Sequence, residues 1–273
     1  MVFFNEEEFM KIKECTEVIA QNFPFELMES FDNSGEQLMF PNCELESIFL
    51  CLDITASTVR EAIESGANLI ITHHPLFFKH IKSIDESDPA SKNLIELISN
   101  KVSVIALHTN LDKIFCRKLE EKLDLKHIDV LFPESCKEIG LGTISEMTQD
   151  ITLKDFLTYV SKKLNADFLI YGGNESKKIK KVVLLNGAGG SKVDEIIHRH
   201  HPDCIITGDV NYHGVLSAVE NGITVIDAGH FWTEFQLLEF LKNELSESFP
   251  QIQNRIIVSK TQNNPFKVYI QNE

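Results

Sequence analysis

The chain is short of positive charge. Its 26 Lys and Arg stand against 41 Asp and Glu, a net charge of −15 over 273 residues. A surface of that sign repels phosphate backbones and anionic lipid, which argues against a nucleic-acid or membrane-surface partner. An anionic substrate would need a local cation. No apolar run approaches the roughly 20 residues that span a bilayer. The N-terminus, Met1-Val2-Phe3-Phe4-Asn5, turns acidic without the basic segment of a secretory signal. The six cysteines, at 15, 43, 51, 116, 136 and 204, include no C-x-x-C pair and fall mostly in apolar surroundings. Buried thiols in a reducing compartment are therefore expected rather than disulfides, and the protein is expected to be cytoplasmic. There is no G-x-S-x-G turn, and no cysteine has a catalytic setting. Gly187-Ala188-Gly189-Gly190-Ser191-Lys192 lacks the leading glycine of a G-x-x-x-x-G-K-[ST] loop. It reads as a tight strand-to-helix turn, with anion binding on backbone N–H groups as the second reading.

What the chain does have is an alternation of short apolar runs with amphipathic segments, an α/β pattern. Asn5 with Glu8 forms a capping box opening a helix that carries Phe9, Ile12 and Ile19 and ends at Asn22-Phe23-Pro24. Phe31-Asp32-Asn33-Ser34-Gly35 is a polar turn, either a plain Asx turn or part of a site lining. Residues 48–52 read as a buried parallel strand, Thr58 and Glu61 as the cap of a helix ending at Gly66, and 67–72 as the next strand. A helix over 93–99 leads to a strand over 102–107. Residues 128–150 lack clear periodicity and suggest a lobe boundary. Thr152 with Asp155 caps a helix using Leu153, Phe156, Leu157, Val160 and Leu164, after which strands over 182–185, 204–207 and 223–226 alternate with helices. His198, His200 and His201 read as a solvated helix end. The two halves look like a diverged internal repeat, predicting two similar lobes, 1–127 with 235–273 and 128–234, with mostly parallel sheets whose carboxyl ends face one cleft.

Histidines and carboxylates gather at the expected strand ends. His73 and His74 follow Ile70-Ile71-Thr72 and precede Pro75, which stops the strand. His108 precedes Asp112 by four residues, and His230 precedes Glu234 by four. Five ligating groups, His73, His74, Asp112, His230 and Glu234, are too many for one open catalytic ion and enough for two sharing a bridging carboxylate. Adjacent residues on an extended segment point opposite ways, so His73 and His74 are expected to serve different ions. Glu234 is the expected bridge. His108 is expected to orient a ligand or move protons, with direct ligation as the second reading. Asp209 and His213 occupy the matching place in the other half, as a helix cap with a surface histidine or as pocket residues. The ligand types suit zinc, iron, manganese or nickel.

Thr72-His73-His74-Pro75-Leu76-Phe77-Phe78, Leu107-His108-Thr109-Asn110-Leu111-Asp112 and Gly229-His230-Phe231-Trp232-Thr233-Glu234 resemble the motifs of the GTP cyclohydrolase 1 type 2 homologues, also called the Ngg-interacting-factor-like family. Asp32-Asn33, Leu52-Asp53, Thr207-Gly208-Asp209 and Asn264-Pro265-Phe266 support the match. Phe31, Glu36 and Thr143 depart from the family's pattern. The resemblance implies two interlinked α/β lobes, a dinuclear metal site with the same five ligands, a ring-shaped homohexamer, and a C-terminal segment packed on the first lobe. It also implies the short form, without the inserted domain of longer members. The function it implies is a metal-dependent hydrolase, in which a water activated between two divalent ions attacks a nucleotide such as GTP at C8 of the purine. A non-catalytic metal-dependent binding or regulatory protein is the competing expectation.

Overall fold

The computed structural model describes residues 10–79, 81–269 and 271. Its strands in chain order are β1 (Gly35–Leu38), β2 (Ile48–Cys51), β3 (Leu69–Thr72), β4 (Ser103–Ala106), β5 (Lys126–Pro133), β6 (Gly140–Thr152), β7 (Ile170–Gly172), β8 (Lys178–Leu184), β9 (Cys204–Thr207), β10 (Thr224–Asp227) and β11 (Ile256–Val258). They form two separate sheets with helices interleaved, a mixed α/β architecture. The chain divides into one unit of Met1–Leu111 with Leu238–Gln262 and another of Asp112–Leu237 with Asn263–Glu273. These bounds differ from the expected lobes, 1–127 with 235–273 and 128–234. Leu119, Leu123 and Leu125 pack in one core with Phe156 and Val160, which explains why the first division precedes them.

The first unit's sheet has the order β1-β4-β3-β2-β11. β2, β3, β4 and β11 run parallel, and β1 closes one edge antiparallel. The strands read as continuous apolar runs because both faces are covered. Phe49, Cys51, Ile70 and Val104 point to the layer holding Val59, Ala62 and Leu97, while the alternate residues Ile48, Leu50 and Ile71 are equally buried. The helix Ala56–Glu64 starts one turn earlier than expected. Thr55 is its N-cap, and Thr58 returns a hydrogen bond to the Thr55 N–H. Asp88 caps the helix Pro89–Ser99 by accepting from Ser91 N at 2.8 Å. The expected Asn5–Glu8 capping box lies outside the described residues; the helix they precede runs Ile12–Asn22 and stops where expected.

The second unit's sheet has the order β5-β6-β8-β9-β10-β7. β8, β9 and β10 are parallel, while β5, β6 and β7 add antiparallel pairings, so this sheet is mixed rather than mostly parallel. The region expected to be irregular is the β5–β6 hairpin. Register shifts between His127 and Asp129 and between Glu146 and Ile151 interrupt its alternation, which hides it from a period-two reading. Val182, Leu184, Cys204 and Ile206 face one core, and Val183, Ile205 and Val225 face the other. Thr152 caps the helix Leu153–Leu164 as expected, accepting from Asp155 N and donating to its carboxylate at 2.6 Å. Among the described residues, no helix is long and apolar enough to cross a membrane.

All six cysteines are free thiols; Cys15, Cys51, Cys116 and Cys204 are buried, Cys43 half-buried and Cys136 exposed. Burial pushes the Cys15 and Cys51 thiols up to about 12 and raises those of Cys116 and Cys204. Since the thiolate is the reactive form, an aromatic disulfide reagent at neutral pH should titrate Cys136 first. Cys15, Cys51, Cys116 and Cys204 should react only on denaturation. Rapid native reaction of all six would contradict this packing.

Candidate metal centre

In the first unit the site forms where the parallel strands run out. The ladder reaches His73, whose N donates to Cys51 O at 2.9 Å; His74 N then breaks the alternation by turning to the same neighbour, donating to Leu52 O at 2.8 Å. Thr72 Oγ1 donates to Leu52 O at 2.8 Å, and Pro75 then ends the pairing. The His73 and His74 ring centroids are 5.1 Å apart, and the His108 ring, just past β4, lies 5.2 and 5.6 Å from them. Adjacency on an extended segment therefore does not separate the two rings as expected. The strand ends at Thr72 and both histidines sit in a bend beyond it, where the pleat no longer sets direction. One ring nitrogen from each of His73, His74 and His108 lies within 4.8 Å of the others.

Each ring is held at Nδ1 by an oxygen that can only accept. His73 Nδ1 is 2.8 Å from Leu107 O, His74 Nδ1 is 2.8 Å from Asp53 Oδ1, and His108 Nδ1 is 2.7 Å from Asp32 Oδ1. Nδ1 is thus the donor in every pair, and the neutral ring carries its lone pair on Nε2. Imidazoles that ligate metals are held in this way, with an outer hydrogen bond fixing tautomer and orientation. The Asp32 side chain is fully enclosed and also accepts from Thr109 N at 3.1 Å, the Thr109 hydroxyl and Ser34 Oγ at 2.9 Å. Burial works to raise its pKa. The hydrogen bonds from His108 and Thr109 and the charge of His108 outweigh that and hold the carboxyl well below the usual carboxylate range. Asp32 also takes the Asn33 N–H at 2.7 Å and the Ser34 hydroxyl at 2.9 Å, so the carboxylate that anchors His108 also holds its own turn together.

The second unit repeats the device. Asp227, ending β10, accepts from Gly229 N at 2.9 Å and Val210 N at 2.8 Å, tying the loops after β9 and β10 together. His230 opens the helix His230–Ser248; its Nδ1 lies 2.8 Å from Asp209 Oδ2, and its Nε2 lies 3.0 Å from Glu234 Oε2 one turn on. Glu234 is buried. Beneath it runs the glycine turn, with Gly187 N donating to Thr233 Oγ1 at 3.0 Å. Gly187 has φ +61°, and a Cβ there would come within 2.1 Å of Glu234 Oε1. A Cβ on Gly190 would meet Asp209 O at 2.1 Å. These glycines serve close approach to the site's carboxylate and to the Asp209 loop. Asn186 Nδ2 donates to Asp112 Oδ1 at 2.6 Å, fixing that buried carboxylate.

The structure therefore brings His73, His74 and His108 together in the first unit. In the second it brings His230 onto Glu234 and Asp209, and Asp112 onto Asn186. Asp209 acts as an anchor here, whereas His213 is exposed on the helix Tyr212–Glu220 with its ring edge-on to Tyr212. His198 and His201 are exposed at a helix end that His201 closes in the left-handed region, matching the solvated reading, whereas His200, expected to share it, is half-buried. The residue the sequence least revealed is Asp53. Its signals were its place in the Leu52-Asp53 motif and its position, an acid directly after a buried strand adjacent to the one that delivers His74, and neither gave it a role. Imidazole nitrogens and carboxylate oxygens, oriented in advance and without thiolate, fit a divalent first-row ion.

The chain matches the model of the Duf34/NIF3 (NGG1p interacting factor 3) proteins over residues 10–265. It is 34% identical over 265 residues to a Clostridium acetobutylicum protein named GTP cyclohydrolase 1 type 2 homolog, covering 94% of this chain and 98% of the relative. It is 32% identical over 257 residues to the GTP cyclohydrolase 1 type 2 of Helicobacter pylori, covering 94% and 98%. The crystal structure of Staphylococcus aureus protein SA1388 matches at TM-score 0.87 and 27% identity, covering 95% of this chain and 99% of that one. With a match over nearly its whole length, the chain belongs to the Duf34/NIF3 (NGG1p interacting factor 3) family.

Proposed function

We propose that this protein is a metal-dependent hydrolase of a nucleotide-type substrate, with two divalent ions held by His73, His74, Asp112, His230 and Glu234. The observation that supports this most directly is the common anchoring of His73, His74, His108 and His230 through Nδ1, which leaves the lone pair of each neutral ring on Nε2, for a metal ion at His73, His74 and His230 and for a proton at His108. Such ions, when bound, supply Lewis acidity and lower the pKa of water. Glu234 packs Oε1 against Gly187 and turns Oε2 towards His230, and it would be the carboxylate shared between the two ions. His108 is the proton carrier. With Asp32 held ionised, its Nδ1 keeps its proton and its Nε2 takes up and releases another. The substrate class follows from the names of the relatives, GTP being the first nucleotide to test.

The test uses purified protein stripped by chelation and reloaded with Mn²⁺, Zn²⁺, Fe²⁺ or Ni²⁺. Two ions per chain and turnover of GTP or a related nucleotide are expected, with turnover falling by about 100-fold or more in His74→Ala and Glu234→Ala. Stoichiometric metal without turnover across a nucleotide panel would overturn the hydrolase and leave a metal-dependent binding protein. The same reading takes the protein as a homohexamer, which light scattering on the eluting peak checks.

A further inference from the structure

We propose that Gln262 is a positioning residue for the His74 ligand, acting through Asp53 from the far end of the chain. The inference rests on the metal-site reading above. Past β11, Ser259 N donates to Leu50 O at 2.9 Å, carrying the parallel ladder one residue further. The Glu61 carboxylate, on the helix Ala56–Glu64, then gathers the chain. It accepts from Ser259 Oγ at 2.8 Å, Lys260 N at 2.9 Å, Thr261 N at 3.1 Å and Thr261 Oγ1 at 2.8 Å. Three consecutive residues are thereby pinned to one side chain, and the next, Gln262, turns inward and is buried.

Its amide does two things. Oε1 accepts from Leu52 N at 2.8 Å, standing where a neighbouring strand's carbonyl would otherwise be. Nε2 points at Asp53 Oδ2 at 3.5 Å, a long hydrogen bond, while Asp53 Oδ1 holds His74 Nδ1 at 2.8 Å. The Asp53 carboxylate thus has one oxygen for the ring and the other for an amide 209 residues away in sequence. About half of the Asp53 side chain is open to solvent, at 50%. Without a second tether it would exchange its partners for water and rotate. Thr58 Oγ1 donates to Asp53 O at 2.8 Å and fixes the backbone, leaving the carboxylate's rotation as the freedom that Gln262 removes. Glu61 and Gln262 together make the C-terminal segment part of the machinery that orients His74.

The experiment is a double-mutant cycle on metal affinity, read by Zn²⁺ titration against a chromophoric chelator with the full chain, alongside thermal melts of the apo proteins. Gln262→Ala should weaken the His74-dependent ion by about 10- to 100-fold, the usual effect of losing an outer partner. Asp53→Ala should weaken it at least as much. The double variant should be no worse than Asp53→Ala alone, because Gln262 acts through that carboxylate. Additive losses, or unchanged affinity in Gln262→Ala, would overturn the proposal. Gln262→Glu keeps the acceptor for Leu52 N and removes the donor to Asp53. It replaces Gln262→Ala in the cycle if the alanine variant does not fold, and wild-type affinity in Gln262→Glu would equally overturn the role. A wild-type protein that takes up no stoichiometric Zn²⁺ defeats the metal-site reading itself, an outcome distinct from a cycle that binds metal but shows no coupling.

Discussion

Alanine at position 187 should leave the protein folded and strip it of one metal ion and nearly all turnover. The residue has no side chain of its own to offer a ligand. Its φ of +61° costs a side chain about 1–2 kcal/mol, and the added carbon would lie within 2.1 Å of Glu234 Oε1. Glu234 cannot simply step aside, because it is buried one turn into a helix whose start is fixed by Thr233 and by the Asp209–His230 pair. The carboxylate must rotate away from His230. The expected readings are a melting temperature lowered by roughly 2–8 °C, a metal content below wild type by elemental analysis, and turnover reduced by about 10- to 100-fold. Wild-type metal content in a folded Gly187→Ala protein would show that Glu234 is not a ligand.

Asp32 should produce the largest loss of stability from a single polar substitution. It collects His108 Nδ1, Thr109 N, the Thr109 hydroxyl and Ser34 Oγ on one enclosed carboxylate. Asp32→Ala strands those donors away from water, at a cost of about 3–5 kcal/mol and roughly 10 °C in melting temperature. Asp32→Asn keeps the shape, but its NH₂ group would face the Thr109 N–H and O–H, donor against donor, so it should also lose stability. The pH dependence has a defined sign. A carboxyl held low in the fold contributes stability that is complete above its unfolded-state value of about 3.9 and is lost as pH falls through that value towards the folded one. Wild type should therefore lose melting temperature below about pH 4 more steeply than Asp32→Asn, as calorimetry across pH 3–7 would record. Parallel curves would mean that Asp32 is not held low.

Legibility followed burial. β2, β3, β4, β9 and β10 are short apolar runs covered on both faces, and such runs show in sequence whatever their partners. β1, β7 and β11 were not legible. They are three- or four-residue edge strands whose place is set by the neighbour they pair with, not by their own composition. The candidate ligands could be read because histidine and carboxylate beside a strand end are chemically conspicuous. Which ring each anchor holds could not be read, since Asp53 and Asp209 each lie 21 residues from the ring they hold and Asp32 lies 76 from His108. A local reading offers Asp32 an Asx turn; the side chain does bond its own turn, at Asn33 N and Ser34 Oγ, and that gives no reason to look further. The opposed directions expected of His73 and His74 failed for a related reason: the rule belongs to strands, and the strand had already ended.

The placement of β11 bears on how the chain is made. Residues 256–258 pair in parallel with β2, yet they leave the ribosome some two hundred residues after it. During most of synthesis the edge of β2 is therefore bare, an unpaired apolar strand of the kind that recruits other chains. Nearly all of the second unit, Asp112–Leu237, is contiguous and emerges meanwhile. The nascent protein thus passes through a long interval in which one sheet can close and the other still awaits its last strand. In that interval Leu52 and Asp53 also lack Gln262, so the anchor of His74 is completed only after Asp112–Leu237 has emerged.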